Sequence, residues 1–205
     1  VDSVLTTREL ARFIKQAGID FNDLPEEEAD NPLGPYTGAG TIYGATGGVM
    51  EAALRTAYAV ITGKELGDIN FTPARGLKDV KEAKVDVNGT EVRIAVVHQL
   101  GNVEPVIEAV RAAKAAKKEP PYHFIEVMAC RGGCIAGGGQ PYGATDEVRA
   151  KRIAGLYTDD AKSEIRVSHK NPYVQALYTE YLKEPNSEKA HHLLHTHYVE
   201  RPLYK

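Results

Sequence analysis

The sequence predicts an α/β fold: a parallel sheet with a mixed edge, flanked by helices and followed by a helical C-terminal tail. Three observations carry that reading. Residues 84–92 alternate apolar and polar about Asn88-Gly89, the dipeptide favoured in two-residue hairpin turns. Residues 92–97 then form a nearly continuous apolar run, as expected of a strand buried on both faces. A helical stripe at Val106, Ile107, Val110 and Ala113 within 103–117 ends at Pro120-Pro121, and a second strand-like run follows at 122–128. Strand, helix, strand in that order is a right-handed crossover with parallel pairing.

The remaining elements follow in order. Val1 to Leu5 reads as a strand already under way, which suggests a subunit or excised domain. Thr6 and Glu9 have the spacing of a capping box for a helix running to Gln16, closed by Gly18. Residues 20–40 are acidic and turn-rich, with Leu24-Pro25, Asn31-Pro32, Gly34-Pro35 and Gly38-Ala39-Gly40, and predict a long ordered or binding loop. Gly47-Gly48 opens a helix over 49–62 that Val49, Ala52, Ala53, Tyr58, Ala59 and Ile61 make largely buried, ending at Gly63. Helices are expected over 145–158, 173–182 and 187–198, the last two amphipathic and lying over the sheet. A boundary between a main lobe, 1–160, and a tail, 161–205, is expected.

With 205 residues, 42% hydrophobic and 26% charged, the chain can bury one sizeable core or two small ones. A net charge of -3, with acids and bases interspersed, predicts neither a nucleic-acid footprint nor binding to anionic membranes. No apolar run approaches the roughly 18 residues of a spanning helix, so membrane insertion is not expected, and residues 1–9 carry no export signal. A cytoplasmic location is the expectation.

Chemistry concentrates at residues 128–141, Met-Ala-Cys-Arg-Gly-Gly-Cys-Ile-Ala-Gly-Gly-Gly-Gln-Pro. Glycine lets the main chain approach a bulky ligand, and placement after a strand's carboxyl end is where open α/β sheets bind ligands. Cys130 and Cys134, the only cysteines, suit a soft metal such as the iron of an iron-sulfur cluster. Taken alone, their spacing fits two ordinary reduced thiols in a glycine-rich turn equally well, and a redox disulfide less well. A cubane takes four protein ligands, as a rule thiolates. A second chain or a preceding segment would have to supply the other two.

Phe124-Ile125-Glu126-Val127-Met128-Ala129-Cys130-Arg131-Gly132-Gly133-Cys134-Ile135-Ala136-Gly137-Gly138-Gly139-Gln140-Pro141 resembles the third signature of the FeFe (iron-only) hydrogenases. Gly44-Ala45-Thr46-Gly47-Gly48-Val49-Met50-Glu51-Ala52-Ala53-Leu54-Arg55 resembles a second family motif, and the tail around Ser187-Glu188-Lys189-Ala190-His191-His192-Leu193-Leu194-His195-Thr196-His197-Tyr198 resembles the family's small subunit. The resemblance implies one lobe of an FeFe hydrogenase catalytic domain, its C-terminal half. It also implies an H-cluster, in which a 4Fe-4S cubane is linked through a cysteine sulfur to a two-iron unit bearing CO, cyanide and a dithiolate. Carried over by motif, Cys130 ligates the cubane, Cys134 is the bridging thiolate and Met128 packs against the two-iron unit. Tyr43, Gly44, Ala45, Thr46 and Val49 line the opposite side, Tyr43 standing where the family usually has Phe. The implied partners are the N-terminal half of the same hydrogenase, a redox partner (ferredoxin or NAD(P)-linked subunits), hydrogen and protons. The family's other cysteine signatures, its cyanide-binding lysine and its proton relay are missing here, so the chain alone is not expected to turn over hydrogen. A non-catalytic relative, either a cluster assembly factor or a hydrogen sensor, is the alternative.

Other candidates have plainer readings. His191 and His195 are four apart, a spacing that can bind zinc, but a polar helix face explains them. Glu126 predicts a structural hydrogen bond, Glu51 and Arg55 an intrahelical ion pair, and Arg131 a solvent-facing or interdomain cation. Gly44 to Gly48 before a helix is a weak phosphate-cradle signal.

Overall fold

The computed structural model describes residues 2–27, 30, 34–68, 70–200 and 202. Its centre is a three-stranded sheet of β1 (Val80–Val87), β2 (Thr90–His98) and β3 (Phe124–Met128), in the order β1-β2-β3. The β1-β2 hairpin turns at Asn88 and Gly89, with φ of 55° and 83°, the left-handed pair that the Asn-Gly signal requires. β2 and β3 run parallel, from Ile94 opposite Phe124 to His98 opposite Met128. The helix that connects them is α4 (Glu104–Ala115). The parallel pair with one antiparallel edge is the expected fold class.

Side-chain alternation divides the sheet into two packed faces. Ala95 and Val97 of β2 pack with Val106 of α4 and with Val80, Ile125 and Val127. Ile94 and Val96 point the other way and pack with Met50 and Leu54 of α3 (Gly48–Thr62) and with Ala74. Covering on both sides explains why the end of β2 is apolar without alternation. One row on the α3 face is polar: Lys81, Val96 and Glu126 align across the strands, and both charged members are buried. Burial holds the Lys81 amine down to about 8, while its Nζ donates to the carbonyls of Ala74 and Gly76.

The other helices frame this centre. α1 (Thr7–Gln16) begins with the expected capping box between Thr6 and Glu9, yet none of its residues is buried. α2 (Gly38–Thr41) and a 3-10 turn at Ile42–Gly44 lead into α3. α5 (Asp146–Lys162) is capped by Thr145 and packs on both α2 and that turn. α6 (Pro172–Ala176) continues as π-helical turns over Leu177–Leu182, and α7 (Glu188–Leu194) follows.

Several expectations change. Residues 2–6 form no strand, and Val1 lies outside the described residues, as does the Asn31-Pro32 turn. Only the first half of α3 is buried: its buried residues end at Arg55, and Val60 and Ile61 are exposed on a groove they share with Tyr43 and Ala52. Ile107 is exposed too, its place on α4 lying off the face that Val106 buries. The start of the tail meets the 34–37 loop, where Asn171 Nδ2 donates to the Pro35 carbonyl at 2.9 Å, and Thr56 of α3 contacts His169.

Candidate metal centre

The cysteine loop leaves β3 and turns sharply beneath the head of α3. Gly132 and Gly133 both have positive φ, 85° and 95°, conformations that side chains with a Cβ rarely adopt. A Cβ on Gly133 would lie 2.8 Å from both the Gly44 oxygen and the Thr46 nitrogen. This close approach lets the Thr46 amide donate to the Gly132 carbonyl at 3.1 Å. Two motifs far apart in the chain thus share one backbone junction, which joins Thr46 to Gly132.

Both cysteines are free and exposed, and both line one cavity of about 430 Å³. Met128, Gly133, Gly137, Gly138 and Gly139 share its wall with Leu5 and Thr6 from the start of the chain. A Cβ on Gly137 would stand 3.9 Å from the Cys130 sulfur, so this side of the cavity is backbone. The Gly133 amide donates to the Cys130 carbonyl at 3.0 Å, closing the turn between the thiols. Two soft sulfur donors on a wall free of bulky side chains fit an iron-sulfur group in kind, and they provide half of a four-thiolate set. Among the described residues, no group of three or more His, Cys, Asp or Glu side chains could hold a metal ion.

The other expected site residues lie behind the loop and do not line this cavity. Tyr43 is exposed and lines a separate groove with Ala52, Thr56 and Val60. A Cβ on Gly44 would come within 2.9 Å of Leu156, so its missing side chain admits α5. Ala45 is buried with Ile135 and Ile153, Thr46 is buried at the Gly132 junction, and Val49 is half-buried in the first turn of α3.

Glu126 makes the structural bonds expected of it: its carboxylate accepts from the Gly47 and Met50 amides at 2.6 and 2.7 Å. Burial raises its pKa, and those two amides work against the rise. The same carboxylate takes the amides at the head of α3 that a phosphate cradle would need free. Arg131 has partners that its position in the sequence does not show. It is partly exposed, as a solvent-facing cation would be, but it also pairs with Asp146 at 2.8 Å and Asp79 at 2.5 Å and so anchors the cysteine loop to the start of α5. These hydrogen bonds push its pKa upward.

Two features escape a reading of the sequence. Glu51 and Arg55 do pair, at 2.8 Å, but inside a larger buried network in which Arg55 also binds Asp160, Arg75 binds Glu51 and Arg166 binds Asp160. Burial alone would raise the Glu51 and Asp160 pKa values, yet the arginines hold both below the ordinary range. His98 is the other: it is fully buried, and its Nδ1 accepts from the Gly132 amide at 3.2 Å. A lone histidine ending the apolar run Ile94-Ala95-Val96-Val97 is the one signal available for it.

Comparison with known proteins now defines the class. A family profile described as "Iron only hydrogenase large subunit, C-terminal domain" matches residues 1–138, and one described as "Iron hydrogenase small subunit" matches residues 146–201. The chain belongs to the iron-only hydrogenase family. It is 50% identical over 202 residues to NADP-reducing hydrogenase subunit HndD of Solidesulfovibrio fructosivorans, covering 98% of this chain and 34% of that protein. It is 30% identical over 207 residues to cytosolic iron-sulfur assembly component 3 of Rattus norvegicus, covering 97% and 41%. A solved variant of [FeFe]-hydrogenase HydA1 from Chlamydomonas reinhardtii superposes with a TM-score of 0.74 at 40% identity, covering 97% of this chain and 56% of that one. The chain therefore spans about a third to two fifths of these curated relatives. Among the described residues, no helix is long and apolar enough to cross a membrane.

Proposed function

We propose that this chain is the C-terminal part of a cytoplasmic FeFe hydrogenase that oxidises hydrogen reversibly to protons and electrons. In this reading it contributes two of the four cubane thiolates and is inactive alone. The observation that carries it is the pair of exposed thiols on one glycine-walled cavity, on a loop whose backbone the protein itself fastens. When bound, an H-cluster would supply the bond-breaking and electron-carrying chemistry, while the protein orients and shields it.

The chain's own residues have separate tasks. Cys130 would hold the cubane, and Cys134 would be the thiolate shared with the two-iron unit. Met128 provides a soft apolar wall beside both. Gly44, Ala45 and Thr46 act from behind, by setting the loop against α3 and α5, with Val49 following in the first turn of α3. Tyr43, on the far groove, would meet the cluster side only through the segment it belongs to. The remaining ligands and the proton path would come from the N-terminal half of the hydrogenase. Electrons would pass to a ferredoxin or an NAD(P)-linked subunit.

The test is to purify the chain alone and together with the N-terminal half, and to measure iron, sulfide and hydrogen evolution from reduced viologen. Activity is expected only in the combined protein, and Cys134→Ala should abolish it. Hydrogen evolution by the chain alone would overturn the ligand count. A second reading, a cluster assembly factor, draws on the likeness to the rat assembly component. Iron bound as a cubane with no hydrogen evolution from the combined, anaerobically matured protein would favour it.

A further inference from the structure

The cysteine loop is fastened at a residue that is not itself a ligand. Gly132 lies midway between the two thiols, is buried, and has both of its backbone polar groups bound from outside the loop. Its carbonyl accepts from Thr46 at the head of α3, and its amide donates to His98 Nδ1 at the end of β2. Two separate elements thus hold the middle of the turn.

We propose that His98 is a positioning residue for the metal centre, its Nδ1 fixing the Gly132 amide so that Cys130 and Cys134 are set before the cluster binds. The proposal rests on the hydrogenase reading for the identity of the cluster, and on the geometry alone for the positioning.

Three observations support it. An imidazole that accepts at Nδ1 must carry its proton on Nε2, so this role needs the neutral ring in one tautomer. Burial, with the Lys81 and Arg131 charges, favours the neutral ring. The main chain of His98 is also held on both sides: its amide donates to the Asp79 carbonyl at 2.8 Å, and its carbonyl accepts from Asn102 Nδ2 at 2.7 Å, while the buried Nε2 has no hydrogen-bond partner among the described residues, so Gly132 is the contact that uses the ring. Without the imidazole, the Gly132 amide would be a buried donor with its partner removed. The glycine's positive φ leaves the turn no stiffness of its own to replace that contact.

Asparagine places its side-chain oxygen close to where Nδ1 stands, whereas glutamine places it near Nε2. In the full polypeptide that carries this chain, His98→Asn, His98→Gln and His98→Leu are compared by amide exchange at Gly132 in the iron-free protein. After maturation, iron content and the cubane midpoint potential, followed by EPR, are compared as well. Wild type and His98→Asn should protect Gly132 alike. His98→Gln and His98→Leu should raise its exchange on the order of tenfold to a hundredfold, bind less iron and shift the potential. Should His98→Leu fail to fold, His98→Gln carries the same expectation with a polar side chain of similar length. Unchanged Gly132 exchange in His98→Gln, or an asparagine variant that behaves like leucine, would overturn the proposal. If the wild type binds no iron, the hydrogenase reading fails while the exchange comparison still decides the positioning role.

Discussion

The ion network around Glu51 and Arg55 and the cavity around the cysteines both depend on the glycine-rich start of α3, and they are finished to different degrees. In the network, Glu51 and Asp160 are each matched by two arginines. At the cavity the backbone is equally well fixed, but both thiols are exposed and α1 beside them buries nothing. The contrast teaches that this chain completes its own electrostatics and, in the function proposed for it, leaves the cavity of its two thiols for other residues to complete.

The largest effect should come from breaking the finished side. Arg55→Met removes the cation shared by Glu51 and Asp160 and leaves buried carboxylates short of a partner. Breaking a buried pair in this way costs about 3–5 kcal/mol, to be read as a lower urea midpoint. A loss below about 1 kcal/mol would mean that Arg75 and Arg166 suffice.

His98 comes next, and its effect depends on pH. Its folded pKa is held at about 4, below the ordinary 6.5, by burial first and then by the Lys81 and Arg131 charges, against a weaker pull from the Gly76 carbonyl and Asp79. The unfolded chain therefore binds more protons between these values. The contribution is fully present above 6.5 and is lost as the pH falls through 4, on the order of 3 kcal/mol in all. Urea midpoints measured from about pH 7 down to about pH 4 should fall less steeply in His98→Asn than in wild type, and parallel curves would refute the assignment.

Gly133→Ala tests the junction that joins the two sides. A Cβ there meets the 44–46 backbone at 2.8 Å and must also adopt a φ of 95°. A cost of about 1–3 kcal/mol is expected from the backbone strain, with weaker iron binding in the full polypeptide. Normal iron binding at reduced stability would separate the junction's structural role from its placement of the thiols.

These regions also differ in how legible they are in the sequence. The hairpin, β2, β3 and the capping box follow from local patterns, because turn chemistry and side-chain period act over a few residues. The cysteine pair is legible for the same reason. The network is not: Glu51 and Arg55 are four apart and visible as a pair, but Asp160 and Arg166 reach them only through tertiary packing. His98 reads as the end of an apolar strand, since nothing local shows that Gly132 will be its partner. Arg131 reads as a surface cation, but its anchors do not show, because Asp79 and Asp146 lie 52 and 15 residues away.

The smallest effect on this chain should come from the unfinished side. Leu10 and Phe13 on α1 are 47% and 60% exposed, so replacing both with serine removes little packing. The stability of the chain alone should change by no more than about 0.5 kcal/mol, as for other surface substitutions. In the full polypeptide the same pair should cost several-fold more if the rest of the hydrogenase covers this face, since burying a large apolar side chain contributes roughly 1.5–3 kcal/mol. Equal small effects in both proteins would show that α1 stays in water, and the cavity it borders would then have to be closed by other elements.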